Sequence, residues 1–351
     1  MRISVSQKLS LAAAILLSFA ASGRAEDLPL VDWQGQTMGS VYTVKLVDAR
    51  LTRSQIEALK AEVDQRLKEV NRQMSHYQPD SELSRFNRAP ANTPFKVSPQ
   101  FARVVRQSLE LNRRSRGAFD PTLGPVISLW GFGAQTDVHV VPPEAQLRAA
   151  MKQTGCQHLS VTANDELVKD IPELQLNLSA IAKGFGVDEI ARVVRAHGVT
   201  NFYVSISGEV FISGRNPKGR KWQVGISAPL LSWAPGDPTV AVLSLSGQAV
   251  STSGDYQKFF IDADGRRWGH IFDPKTGHPV QHNLGSVSVV ADNCTIADGL
   301  ATTLYVLGPE AGPRFIESWT NAAALFILRE SAGKFRPIPS SRFAGLTGCR
   351  P

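Results

Sequence analysis

Apolar and polar positions along this chain repeat with two periods, and the switches between them outline its elements. After Gly35, Tyr42, Val44 and Leu46 alternate with Thr43 and Lys45, which predicts a strand within 33–47. Thr52 begins a helix: Gln55 stands three residues on, as a capping box requires, and Ile56, Leu59, Val63, Leu67 and Val70 recur at helical spacing. Ser98-Pro99 opens the next as N-cap and first helical residue, with Phe101, Val104, Val105, Leu109 and Leu111 on its apolar face. The Pro-, Gly- and aromatic-rich stretch 118–133 predicts an ordered loop with a short helix, and 143–152 a helix. Two short strands flank a polar turn within 159–178. Helical spacing returns from Ile181 to His197, and Phe202 to Ile212 reads as one strong strand. Short strands follow at 222–226, 240–245 and 249–252, with a proline-rich loop at 229–239. Phe259 to Asp262 with Asp264-Gly265 predicts a hairpin. A strand at 284–291, helices at 295–307 and 314–319, and a strand at 323–328 complete the pattern. Strands cluster in runs between helices instead of alternating one for one. That favours an α+β fold with largely antiparallel sheets and flanking helices over a doubly wound sheet.

The first 25 residues stand apart. Arg2 and Lys8 form a short basic start, Leu9 to Ala21 is apolar and small, and Gly23-Arg24-Ala25 places small residues at −3 and −1 before Glu26. This predicts a cleaved secretory signal peptide, 1–25, ahead of one large domain, 26–351. The apolar run is too short to span a bilayer. The leader carries three positive charges and no negative ones, so the remainder has a formal net charge of +4 against +7 for the whole chain. No Lys/Arg-rich run accompanies that charge, and no nucleic-acid motif. Cys156, Cys294 and Cys349 include no CxxC; a pair is possible, and none is predicted.

Several segments hold more polar punctuation than a structural reading needs: Met38-Gly39-Ser40, Ser75-His76-Tyr77, Ser81 to Asn87, Gly117 to Thr122, Asn177 to Gly184 (NLSAIAKG), Ser207-Gly208-Glu209, Ser251 to Tyr256 (STSGDY), His270 to Gly277 (HIFDPKTG) and Ala297 to Thr302 (ADGLAT). Any one alone is an ordinary turn or cap. Their joint order, from about Trp33 to about Leu328, resembles the ApbE family of FAD:protein FMN transferases. The resemblance implies a single large domain related to the T-fold, FAD consumed as a substrate, and Mg²⁺.

Asp298 and Thr302 lie four apart on a helix and share a face. Spacing alone describes a surface Asp and a core-facing Thr. The resemblance implies a Mg²⁺ site completed by the backbone carbonyl of Ala180, and oxygen donors suit that ion. Asn177, where the family often has Asp, and Lys183 are implied nucleotide contacts at a helix start that offers free N–H groups. Met38 and Tyr77 match positions lining the flavin pocket, and Ala118, Phe119 and Asp120 a segment gripping the nucleotide. Ile271 matches beside His270. Thr252, Ser253 and Asp255 are read as holding the pyrophosphate or a second metal. His270 is the expected base for an acceptor hydroxyl, a role that suits imidazole near neutral pH. Asp273 is expected to orient its ring or support the metal.

Three functions compete: FMN transfer to a Thr or Ser hydroxyl with release of AMP, Mg²⁺-dependent FAD pyrophosphatase chemistry with water as acceptor, and non-enzymatic binding of FAD by an exported protein. No G-x-G-x-x-G fingerprint follows a strand, which argues against a redox flavoprotein. The resemblance further implies a periplasmic location and acceptor flavoproteins of membrane redox complexes, of the Na⁺-pumping quinone reductase (Nqr), Rnf or NosR type.

Overall fold

Two hairpin turns without the usual Asn-Gly signature shape the main sheet. The computed structural model describes residues 27–134, 138–231, 238–256, 258–331 and 333–346; the expected leader and Cys349 lie outside them. Strands β1 (Leu30–Thr37) and β2 (Ser40–Val47) pair around Met38-Gly39, both at positive φ (51° and 69°). The single strand expected within 33–47 is therefore a hairpin.

Helix α1 (Arg53–Met74) starts with the expected capping box at Thr52. It is followed by α2 (Glu82–Arg88), β3 (Phe95–Lys96), α3 (Pro99–Ser115) capped by Ser98, α4 (Gly124–Leu129), α5 (Glu144–Met151), β4 (Leu159–Val161) and β5 (Glu166–Lys169). After α6 (Ala182–Ala196) the strong pattern at 202–212 splits into β6 (Phe202–Ile206) and β7 (Glu209–Ser213). The split falls at Ser207-Gly208, again with both residues at positive φ. Then come β8 (Trp222–Ser227), β9 (Thr239–Leu245), β10 (Gln248–Gly254), β11 (Phe259–Ile261), β12 (Arg267–Gly269), β13 (Leu284–Ala291), α7 (Cys294–Ile316), β14 (Ala322–Ser331) and β15 (Lys334–Pro339). The two helices expected at 295–307 and 314–319 abut at Gly308 (φ 75°), so α7 is one element with a break.

Among the described residues, one eight-stranded sheet runs β1-β2-β6-β7-β10-β13-β14-β15, with each neighbouring pair antiparallel. Its edge strand β15 was not expected; Pro337 and Pro339 donate no N–H, which an edge tolerates. Helices α6 and α7 cover one face around a core that includes Val44, Leu59, Val63, Phe185, Val187, Val289 and Leu304. The β8–β9 hairpin covers the other, placing Trp222, Ile226 and Leu243 over Ile212, Val250 and Ile327. A third cluster joins α4 and α5 to β12, with the rings of Trp130 and Trp268 5.0 Å apart. No helix among the described residues is long and apolar enough to cross a membrane.

The crossing of α6 and α7 positions the site. A Cβ on Gly184 would lie 2.2 Å from the Cys294 carbonyl oxygen and 2.7 Å from the Asp298 Cβ, so only glycine permits this approach. Asp188 on α6 caps α7: its carboxylate accepts the N–H groups of Cys294 and Thr295 (both 2.8 Å) and the Thr295 hydroxyl (2.5 Å). Asp188→Ala orphans these donors and lowers the unfolding free energy by about 1–3 kcal/mol. Urea denaturation reads that loss, and an unchanged midpoint would contradict the cap.

Candidate functional site

Asp298 and Thr302 face β10 from α7. Asp298 is only 2% exposed, which overturns the surface reading of its spacing. Its Oδ2 accepts the Gly184 N–H (2.9 Å), its Oδ1 accepts the Ser251 hydroxyl (3.4 Å), and the Lys183 ammonium stands 3.8 Å away. Lys183 donates to Glu209 Oε1 at 2.5 Å. Glu209 is 4% exposed, and its Oε2 has no hydrogen-bond partner. Thr302 Oγ1 and Ser253 Oγ are 3.0 Å apart.

Strand alternation decides which β10 residues join this pocket. Ser251 and Ser253 point at α7. Thr252 points the other way and pairs with Ser288 (2.7 Å), so it does not serve the pocket as expected. Asp255 does not serve it either: Arg267 and Arg329 hold its carboxylate, the latter at 2.8 Å. Lys183 was expected at the nucleotide and is instead engaged with two buried carboxylates. Ala180 lies in the turn that leads into α6, half-buried against the core. In the same turn Asn177 Oδ1 accepts the Ser179 N–H (3.0 Å), while its own N–H donates to the Pro121 carbonyl (2.7 Å).

Two buried carboxylates thus share one half-buried ammonium. Burial raises the pKa of Glu209 and Lys183 opposes it. For Lys183 burial acts against the charge, but Asp298 and Glu209 outweigh it and leave the pKa above its ordinary value. Among the described residues no group of three or more His, Cys, Asp or Glu has metal-site geometry, so a cation here would draw part of its shell from neutral oxygens.

His270 follows β12 and is half-buried, with Nδ1 3.0 Å from the Lys258 carbonyl. Burial lowers its pKa to about 4; the carbonyl opposes this, the charges of Lys258 and Lys183 add to it, and the Asp255 carboxylate opposes them. Asp273 does not orient this ring. Its carboxylate accepts the Lys275 N–H (2.9 Å) and the Thr276 hydroxyl (3.4 Å), closing the turn before Gly277. The Ile271 side chain is in the core, and its carbonyl accepts the Val280 N–H (2.9 Å).

A cleft of about 290 Å³ is lined by His76, Tyr77, Ser84, Asn87, Gln175 and Asn177, among others. Tyr77 is 63% exposed, with its ring 4.0 Å from that of His76. Burial, reinforced by Lys258, lowers the His76 pKa to about 4, so Lys258 acts on two neutral imidazoles. Met38, from the β1–β2 turn, lies against Gly186 of α6. Ala118 and Phe119 are buried, and the Phe119 carbonyl accepts from Asn112 (2.8 Å). Asp120 Oδ1 accepts the Thr122 N–H (2.8 Å), the Thr122 hydroxyl (2.6 Å) and the Cys156 thiol (3.4 Å). Burial raises its pKa and these bonds oppose it. Sequence reasoning missed the Lys183–Glu209 pair, Ser251 and the Lys258 carbonyl. The motif Ser207-Gly208-Glu209 flagged Glu209, whereas a backbone carbonyl has no residue-type signal.

This fold and pocket have counterparts. The family model described as the ApbE family matches residues 38–326. A protein of Vibrio cholerae named FAD:protein FMN transferase is 39% identical over 94% of this chain and 96% of its own. Two solved structures superpose closely: a flavin transferase ApbE from Vibrio cholerae (TM-score 0.82, 39% identity, 91% of this chain, 99% of that one) and the Pseudomonas stutzeri flavinyl transferase ApbE in its apo form (TM-score 0.82, 38% identity, 93% and 99%). The chain belongs to the ApbE family.

Lys183→Met leaves Glu209 and Asp298 without their shared ammonium. It lowers stability at pH 7 by about 3 kcal/mol, as breaking a buried pair does. Without the ammonium that opposes burial, Glu209 binds a proton more readily folded than unfolded, so the deficit shrinks as pH falls from 7 towards 5. Denaturant titrations at the two pH values measure it, and an equal deficit at both would contradict the charge argument.

Proposed function

We propose that this protein transfers FMN from FAD to a Ser or Thr hydroxyl of another protein, releasing AMP, with Mg²⁺ and outside the cytoplasm. The name borne by the relatives that match nearly its whole length supports the reaction. The observation that carries the reading is His270, a neutral imidazole held by a carbonyl and close enough to the acidic pocket for Lys183 to influence its pKa.

The residues fit a divalent cation. Two buried carboxylates face one ammonium, and Glu209 Oε2 is orphaned, so the pocket carries uncompensated negative charge. Asp298, Thr302 and the Ala180 carbonyl would hold Mg²⁺, a hard cation that takes few protein ligands and completes its shell with water and phosphate oxygens. When bound, it neutralises the pyrophosphate and stabilises charge on the departing AMP. Ser253 holds the Thr302 hydroxyl, and Gly184 and Ser251 fix the Asp298 carboxylate.

Because Nδ1 of His270 faces a carbonyl, that nitrogen carries the proton and donates it, leaving the lone pair on Nε2. Nε2 takes the proton of the acceptor hydroxyl as its oxygen bonds to the phosphorus on the FMN side. The P–O bond to AMP breaks, and AMP leaves with the bridging oxygen. The exposed Tyr77 ring offers a face for stacking an aromatic ring of the substrate. The expected leader supports export, and the acceptors are periplasmic flavin domains of membrane redox complexes, of the Nqr, Rnf or NosR type.

Purified protein lacking 1–25, incubated with FAD, Mg²⁺ and such an acceptor domain, should give a flavin-fluorescent acceptor band on a denaturing gel. Chelator or His270→Ala should abolish it. Free FMN and AMP without a band for any acceptor would make the protein a pyrophosphatase, and intact FAD would sink the catalytic reading. The depressed pKa also sets the acid limb of kcat/KM: the base stays neutral and active until pH approaches about 4. A limb near 6.5 would contradict the burial of His270.

A further inference from the structure

The segment just past the end of β10 packs against the residues that lead into His270. We infer that Asp255 is its positioning residue, clamping the hairpin that carries the base onto the strand that faces the Asp298 pocket. The inference rests on the reading of His270 as base.

Among the described residues the β11–β12 hairpin forms its own two-stranded sheet, separate from the main one. It carries both halves of the base: His270 follows Gly269, and Lys258, whose carbonyl holds the ring, precedes Phe259, the register partner of Gly269. On its outer side the hairpin packs through Trp268 on Trp130. On its inner side Asp255, one residue past the end of β10, supplies the polar link. Its carboxylate ion-pairs with Arg267 at the start of β12. Its carbonyl accepts from Arg267 Nη1 at 3.5 Å. Its Cβ would lie 3.2 Å from a Cβ on Gly269, the residue before His270.

The same carboxylate holds Arg329 of β14 at 2.8 Å, and Arg329 reaches the carbonyls of Pro229 (3.3 Å) and Leu284 (3.5 Å). Asp255 is therefore anchored to the main sheet before it grips the hairpin. Two residues back on β10, Ser253 touches Thr302. One short path thus sets the distance between base and pocket. A misplacement of about 1 Å in such a geometry costs on the order of 100-fold in rate.

The test compares wild type, Asp255→Asn, Arg267→Met and the double variant. Asp255→Asn should lower kcat for FMN transfer about 10- to 100-fold, with KM for FAD and Mn²⁺ affinity, read by electron paramagnetic resonance, within about twofold. The double variant should be no slower than the slower single one, as expected of two residues acting through one contact. Proton NMR of the histidine rings adds a readout without turnover: Arg267→Met, which keeps the Asp255 charge, should shift the His270 resonances and leave those of His158 and His197 in place. Loss of Mn²⁺ or FAD affinity at unchanged kcat would make Asp255 a ligand and overturn the inference, as would unchanged kcat and unchanged His270 resonances. Absence of transfer in the wild type would defeat the functional reading instead, and the NMR comparison would still decide the clamp.

Discussion

The close crossing of α6 and α7 at Gly184 is the constraint on which the site depends. A side chain there would collide with the backbone of Cys294, so the approach exists only because residue 184 has none. From it follow the hydrogen bond from the Gly184 N–H to Asp298, the reach of Lys183 into the same pocket, and the contact of α7 with β10. Asp188 fixes the relative height of the two helices by capping one from the other. The acidic pocket is thus a product of helix packing, and its carboxylate is oriented before any ligand arrives, which lowers the reorganisation required at the moment of reaction.

Two environments sit side by side. In one, buried carboxylates outnumber their ammonium and seek positive charge. In the other, His270 is buried enough to stay neutral, and Lys258 and Lys183 keep protons off it. Opposite demands on neighbouring groups are the usual way a fold separates an electrostatic role from a proton-transfer role. Glu209 belongs to the first environment through Lys183, and the Lys258 carbonyl to the second through Nδ1.

What the sequence disclosed follows from range. The capping box at Thr52 and the Ser98-Pro99 start are local devices, and both helices begin where they predict. Met38-Gly39 and Ser207-Gly208 stand out as polar punctuation, but Met and Ser rarely occupy the left-handed region, so the strand patterns around them read as continuous and not as hairpins. In the site, the four-residue spacing of Asp298 and Thr302 gave a shared face but not its burial. Nearness in sequence misled for Asp273, which its own turn occupies, and long-range partners misled for Asp255, whose arginines come from β12 and β14. Alternation along β10 would have separated Thr252 from Ser251 and Ser253, had the sheet face been known.

The proposed divalent-cation site is the buried charge around Asp298 at the helix crossing. Titration of Mn²⁺ into the protein with FAD present, followed by electron paramagnetic resonance, tests it most directly. One site is expected for the wild type, lost in Asp298→Asn while circular dichroism shows the variant still folded. Equal Mn²⁺ binding by wild type and Asp298→Asn would contradict it.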